Sequence, residues 1–160
     1  MNEKRMLLIS SIRNDLAVIG ELYDAVPKTQ LVEQSTFLDD DDRLIVLAYR
    51  LHNLYNAFEN IFENIAVQFE NSIDDQGRWH AQLLERMRLD ALPLRPAVID
   101  NNAYEALDEL RRFRHLFRHA YSIHLDPYRL DLVVRKANAL RAIYQSQLEQ
   151  FIEFVQNIDR

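Results

Sequence analysis

Residues 47–69 read LAYRLHNLYNAFENIFENIAVQF. Leu47, Leu51, Leu54, Phe58, Ile61, Ile65 and Phe69 recur in this stretch at steps of three or four. A helix turns once in 3.6 residues, so these side chains share one face, whereas a half-buried strand would alternate residue by residue. The stretch therefore predicts a long amphipathic helix, and its apolar face has to be covered by other elements.

Working outward, the same spacing returns. Leu8, Ile12, Leu16, Ile19, Tyr23 and Val26 predict a first helix, ended by Pro27. The segment KTQLVEQSTFLDDDD has no clear period and reads as a connector; Asp39 to Asp42 suit the N-cap and the negative first turn of the long helix. Asp74, Asp75 and Gly77 close that helix, and a shorter one follows over Trp79–Leu89. Pro93 and Pro96 break the chain. A further helix is expected from Asn102 to Tyr121, capped by Asp100 or Asn101. The last begins at Asp126-Pro127, a cap followed by proline at the first helical position, and keeps one face through Val133, Ala137, Leu140, Tyr144, Leu148, Ile152 and Val155. The expected fold is all-α, an up-and-down bundle of four long helices plus a short helix, with residues 1–160 as one domain.

Composition agrees. The chain is 48% hydrophobic and 28% charged, and it has two glycines, too few for a fold built on many tight turns. It has no cysteine, which excludes disulfides and thiolate metal sites and fits a reducing cytoplasm. No run approaches a membrane span, and the N-terminus lacks a signal-peptide core. The net charge of −6 opposes a broad nucleic-acid-binding surface but leaves room for a small basic groove.

One stretch concentrates cations against that acidic background. RFRHLFRHAY, residues 112–121, holds three arginines and two histidines. Leu110, Phe113, Phe117 and Ala120 share the apolar face of its helix, with Arg114 and Tyr121 on the flank of that face. His115 and His119 point to the other side. Arg114 and His119 stand roughly 140° apart on a straight helix. Either the helix ends or bends near His119, or a second copy of the chain completes a site. The chemistry suits a phosphodiester: arginine grips phosphate oxygens with a planar fork, and histidine moves protons near neutral pH. RNA carries its own nucleophile in the 2′-hydroxyl, so a base, an acid and a cation suffice without a metal.

Other polar features read more plainly. His115 and His119 have the i, i+4 spacing of a metal pair, but no carboxylate on that face completes the set. Trp79 and His80 read as packing and surface residues. Asn53, Asn56, Asn60 and Asn64 form a polar stripe on the long helix, read as its exposed side or as a face toward RNA.

The motif Arg114-x4-His119-x-Tyr121 resembles the Arg-x4-His-x-Tyr motif of HEPN ribonucleases, and in particular of HepT toxins. The segments LRRFRHLFRHAYSIHLDPYRL, residues 110–130, and RWHAQLLERM, residues 78–87, are similar to HepT-like chains. The resemblance implies a HEPN-type bundle that dimerises with both motifs facing one cleft, and metal-independent cleavage of RNA without a cofactor. It makes Arg114 and His119 the catalytic pair, with His115 orienting or assisting and Arg118 and Arg111 contacting flanking phosphates. It also implies a partner, an MNT-type nucleotidyltransferase antitoxin that adds AMP to Tyr121. The alternatives are a non-catalytic HEPN module that binds a nucleotide or a nucleotidyltransferase, and a helical interaction protein whose basic segment is only surface.

Overall fold

A computed structural model describes residues 2–29, 31, 40–70, 78–119 and 124–158. Among the described residues there are six helices and no β-strand: α1 (Glu3–Asp24), α2 (Asp41–Glu70), α3 (Trp79–Met87), α4 (Asn101–His119), α5 (Pro127–Arg141) and α6 (Tyr144–Asn157). The all-α expectation holds.

Four of the six helix starts follow from capping chemistry. A helix leaves its first amide groups without intrahelical acceptors, and short polar side chains supply them. Asn2 Oδ1 accepts from the amide of Lys4 at 2.7 Å, and Asp40 Oδ1 from that of Arg43 at 3.2 Å. Asp100 accepts from Ala103 at 2.8 Å, and Asp126 from Tyr128 at 3.0 Å with Pro127 behind it. The caps expected at Asp100 and Asp126 are in place; Asp39, Asp74, Asp75 and Gly77 lie outside the described residues.

The long helix α2 is the centre of the bundle. It packs on α1, α3, α4 and α5, so residues on several of its sides are buried. Leu47, Leu51, Leu54, Phe58, Ile61 and Ile65 form the expected face, and Tyr55, Phe62 and Ala66 are buried beside them. Full burial of one such Leu, Ile or Phe contributes about 1.5–3 kcal/mol, so a charge placed at Leu54 or Ile61 would break the bundle at its middle.

The C-terminal helix departs from the sequence reading. One continuous helix was expected after Pro127, but the chain turns at Ala142 and Ile143 and restarts at Tyr144. No proline or glycine marks the break, and the apolar spacing runs straight across it. Tertiary contacts account for the turn. Tyr144 stacks on Tyr23 of α1 with ring centroids 5.4 Å apart, and Arg141 donates to the carbonyl oxygens of Tyr23 and Val26. The end of α1 thus holds both sides of the turn, and α6 swings onto α1.

A buried ion cluster fixes the α3–α4 connection. Arg95 is 1% exposed. Its Nε donates to Glu70 Oε1 at 3.0 Å, Nη1 to the carbonyls of Leu89 and Pro96, and Nη2 to Glu70 and to the Arg86 carbonyl. Arg86 pairs with the other oxygen of Glu70. All five N–H groups of the guanidinium are therefore used, which makes its burial tolerable.

Candidate functional site at the α2–α4 seam

α2 and α4 run antiparallel: His52 meets Phe117, and Asn56 meets Arg114. Arg114 flanks the apolar stripe of α4, so packing of Phe113 and Phe117 turns its side chain into the seam. Only 12% of that side chain is exposed. Nε donates to Asn56 Oδ1, and Nη2 lies 4.0 Å from Glu59 Oε1. Among the described residues, Nη1 takes no part in these contacts.

Glu59 is a carboxylate buried on α2, and two other helices supply groups to it. His80 Nδ1 of α3 donates to Glu59 Oε2 at 2.8 Å, while Arg114 approaches from α4. The Tyr55 phenol beside them is held well above its ordinary pKa, chiefly by burial and then by the Glu59 charge. Glu63 is likewise pushed up by burial and by Glu59. A buried negative charge that meets an imidazole N–H and a guanidinium is a stable anchor for an arginine that must also face outward.

His52 completes the seam. Asn56 Nδ2 lies 3.1 Å from His52 Nε2, and the imidazole tilts against Phe117 with centroids 5.7 Å apart. Burial, then the charges of Arg114 and Arg118, hold its pKa below the ordinary value. His52 Nδ1 is buried without a hydrogen-bond partner among the described residues.

The motif residues divide into two groups. Arg114 is in the seam. His115, Arg118 and His119 are exposed, at the C-terminal end of α4, where cations oppose the negative end of the helix dipole. The His115 and His119 rings lie together, 4.5 Å between centroids. α4 as described runs to His119, so within one chain Arg114 and His119 leave the helix in different directions. Arg111 is paired with Asp108 through Nε at 3.0 Å and Nη2 at 2.8 Å, and Arg112 shares the same carboxylate. Tyr121 lies outside the described residues.

Two readings of the neighbours change. Asn60 is exposed as expected, although it donates to Asp15 at 2.9 Å, whereas Asn56 and Asn64 are partly buried: Asn56 holds Arg114, and Asn64 donates to Ser11 at 3.2 Å. The stripe stitches α2 to α4 and α1. Trp79 packs on the core as expected, but His80 is bonded to Glu59 rather than being a plain surface residue. Glu59 was legible in principle, because it stands between Tyr55 and Phe62 in a line of buried residues at helical spacing.

A family model described as HepT-like protein matches residues 46–155. The chain belongs to the HepT-like family. No curated protein and no solved structure matches it. The HepT-like span runs from the first turns of α2 into α6, so it takes in His52, Asn56, Glu59, His80 and Arg114 together; α1 lies outside it. Among the described residues, no helix is long and apolar enough to cross a membrane.

Proposed function

We propose that this HepT-like chain is a metal-independent endoribonuclease, the toxin of a toxin–antitoxin pair, with residues 1–160 as one HEPN domain acting in the cytoplasm. One observation carries the reading: Arg114 is anchored along one edge by Asn56 and Glu59, beside exposed His115, Arg118 and His119. A guanidinium held from behind, with its remaining N–H groups unused among the described residues, is prepared to grip a phosphate.

Arg114 and His119 diverge within one chain, so the catalytic set is drawn from two copies. In a homodimer with the α4 ends facing each other, two Arg114 and two His119 surround one phosphodiester. One His119 takes the 2′-hydroxyl proton, the oxygen attacks phosphorus, and the other His119 protonates the departing 5′-oxygen. Arg114 stabilises the charge on the phosphoryl oxygens. Ile45, Tyr49, Leu116 and Leu132 are exposed apolar residues near the meeting ends of α2, α4 and α5, which supports a second copy there. His115 orients His119, and Arg118 contacts a flanking phosphate. Arg111 has to exchange Asp108 for phosphate to do the same. An MNT-type nucleotidyltransferase silences the enzyme by adding AMP to Tyr121, whose new negative charge competes with RNA for Arg114 and Arg118.

A gel assay on RNA with EDTA present tests the reading. His119→Ala and Arg114→Ala should each lose cleavage by about 10²–10⁴-fold, the usual weight of a proton-transfer group, with helical circular dichroism retained. Undiminished cleavage by His119→Ala overturns it.

A further inference from the structure

We propose that Asn56 and His52 form a relay that positions Arg114, with His52 held as the neutral Nδ1–H tautomer so that Asn56 presents its oxygen to the guanidinium. Donor and acceptor chemistry orients each group in turn. Arginine has no acceptor, so the Asn56 atom facing Arg114 Nε must be Oδ1. The amide is thereby oriented, and its Nδ2, a donor only, faces His52 Nε2 at 3.1 Å. Nε2 must then accept, and the one proton of the neutral ring sits on Nδ1, which is buried without a partner among the described residues.

The surroundings enforce that state. The groups facing the imidazole are Tyr49 and Asn56 on its own helix, and Arg114, Phe117 and Arg118 on α4. None of them is an acid, and two are permanent cations. A second proton on His52 would set N–H against NH₂ and add a third positive charge. The amide would turn over, and Arg114 would lose its Nε acceptor. The rings of Tyr49 and Phe117 lie 6.4 Å and 5.7 Å from the imidazole and restrict its plane, while Asn56 sets the tautomer.

The function of the relay follows from which guanidinium edge it uses. Nε and Nη2 form one edge, and these face Asn56 and Glu59. Nη1 and the second N–H of Nη2 are left to point along the guanidinium axis. Asn56 therefore selects end-on phosphate contact and removes the side-on alternative. This role rests on the ribonuclease reading above; the hydrogen-bond relay does not.

NMR of the full chain tests the relay, and RNA cleavage tests its purpose. Long-range ¹H–¹⁵N spectra should show His52 as the Nδ1–H tautomer. Asn56→Asp should reverse this: a carboxylate draws a proton onto Nε2, and His52 then titrates above its ordinary value instead of below. Asn56→Ala should speed exchange of the Arg114 Nε–H by about tenfold, the weight of a hydrogen bond to a charged group. It should slow RNA cleavage by about ten- to a hundredfold, as misplacement of a reacting group does. His52→Gln, whose Oε1 can accept from Asn56, should retain the rate that His52→Ala loses. An Nε2–H tautomer in the parent protein overturns the relay, as does an Asn56→Ala chain that matches the parent in Arg114 exchange. Parent-like cleavage by Asn56→Ala overturns the positioning role. If the parent cuts no RNA while the spectra behave as stated, the ribonuclease reading fails and the relay stands.

Discussion

Glu59 and Glu70 stand about three turns apart on α2, so they share one side of the same helix. Each is a nearly buried carboxylate, and each meets an arginine. The two arginines differ in how far they are satisfied. Arg95 spends all five N–H groups on Glu70 and three carbonyl oxygens, and it is 1% exposed. Among the described residues Arg114 has Asn56 as its one hydrogen-bond acceptor and Glu59 at 4.0 Å, and it keeps a rim of exposure. A saturated guanidinium is a clamp, since a ligand could reach it only by breaking the loop it holds. An anchored but unsaturated one is an offer to a ligand. The lesson is to read a buried arginine by its unused donors rather than by its burial or its ion pair.

Truncation of the two arginines should break the symmetry most strongly. Arg95→Ala leaves Glu70 buried against Arg86 alone and frees the carbonyls of Leu89 and Pro96. Removing one partner of a buried pair costs about 3–5 kcal/mol, and urea denaturation should show a loss of that size. Arg114→Ala leaves Glu59 still bonded to His80 and should cost less than about 1.5 kcal/mol, while abolishing RNA cleavage. Equal stability losses for the two variants would mean that Arg114 is a second clamp.

Neutralising the carboxylates should give a smaller contrast. In Glu70→Gln an NH₂ group replaces one of the two oxygens and is turned against one guanidinium, that of Arg86 or of Arg95, at a cost of about 1.5–3 kcal/mol. Glu59→Gln keeps an oxygen for His80 and should stay within about 1 kcal/mol of the parent. Thermal unfolding of the pair checks the order, and a larger loss at Glu59 would reverse it.

This contrast marks where the sequence was legible. The first five starts and the apolar faces come from spacing and, at several starts, from capping, both local properties, and Asp100 and Asp126-Pro127 stood out for that reason. Arg114 was legible through its motif and its place on the flank of Phe113 and Phe117. The break at Ala142 was not, because the stripe from Val133 to Val155 is continuous and the cause lies at the end of α1 and just beyond it, at Tyr23 and Val26. The partners of Arg114 were hidden in the same way. Asn56 reads as one of a row of surface asparagines until α4 is laid against it, and His80 becomes a ligand of Glu59 only when α3 docks. A polar residue's role depends on what crosses it, and the crossing pairs here are far apart in sequence.

The smallest effect sharpens the comparison through pH. His52 belongs to the Arg114 side alone, and burial with two nearby guanidinium groups holds its folded pKa below the ordinary value of about 6.5. The sign follows from which state takes the proton first. As pH falls through about 6.5, the unfolded chain is protonated while folded His52 stays neutral, so stability declines until the lower folded value is passed. Asp15 and Glu63 act in the opposite sense, since burial raises their folded pKa and acid then favours the folded state. The difference between parent and His52→Gln cancels these shared contributions. Urea midpoints of the two should draw closest to the variant's favour on the acid side: relative to His52→Gln, the parent should lose stability between pH 7.5 and pH 5.5, roughly one unit either side of a free imidazole. The same interval applied to Arg95→Ala should leave the histidine slope intact, because His52 contacts nothing in the Glu70 cluster. A parent that gains on His52→Gln as pH falls would mean that the folded state protonates His52 first, and the seam would then hold an imidazolium in place of the neutral ring.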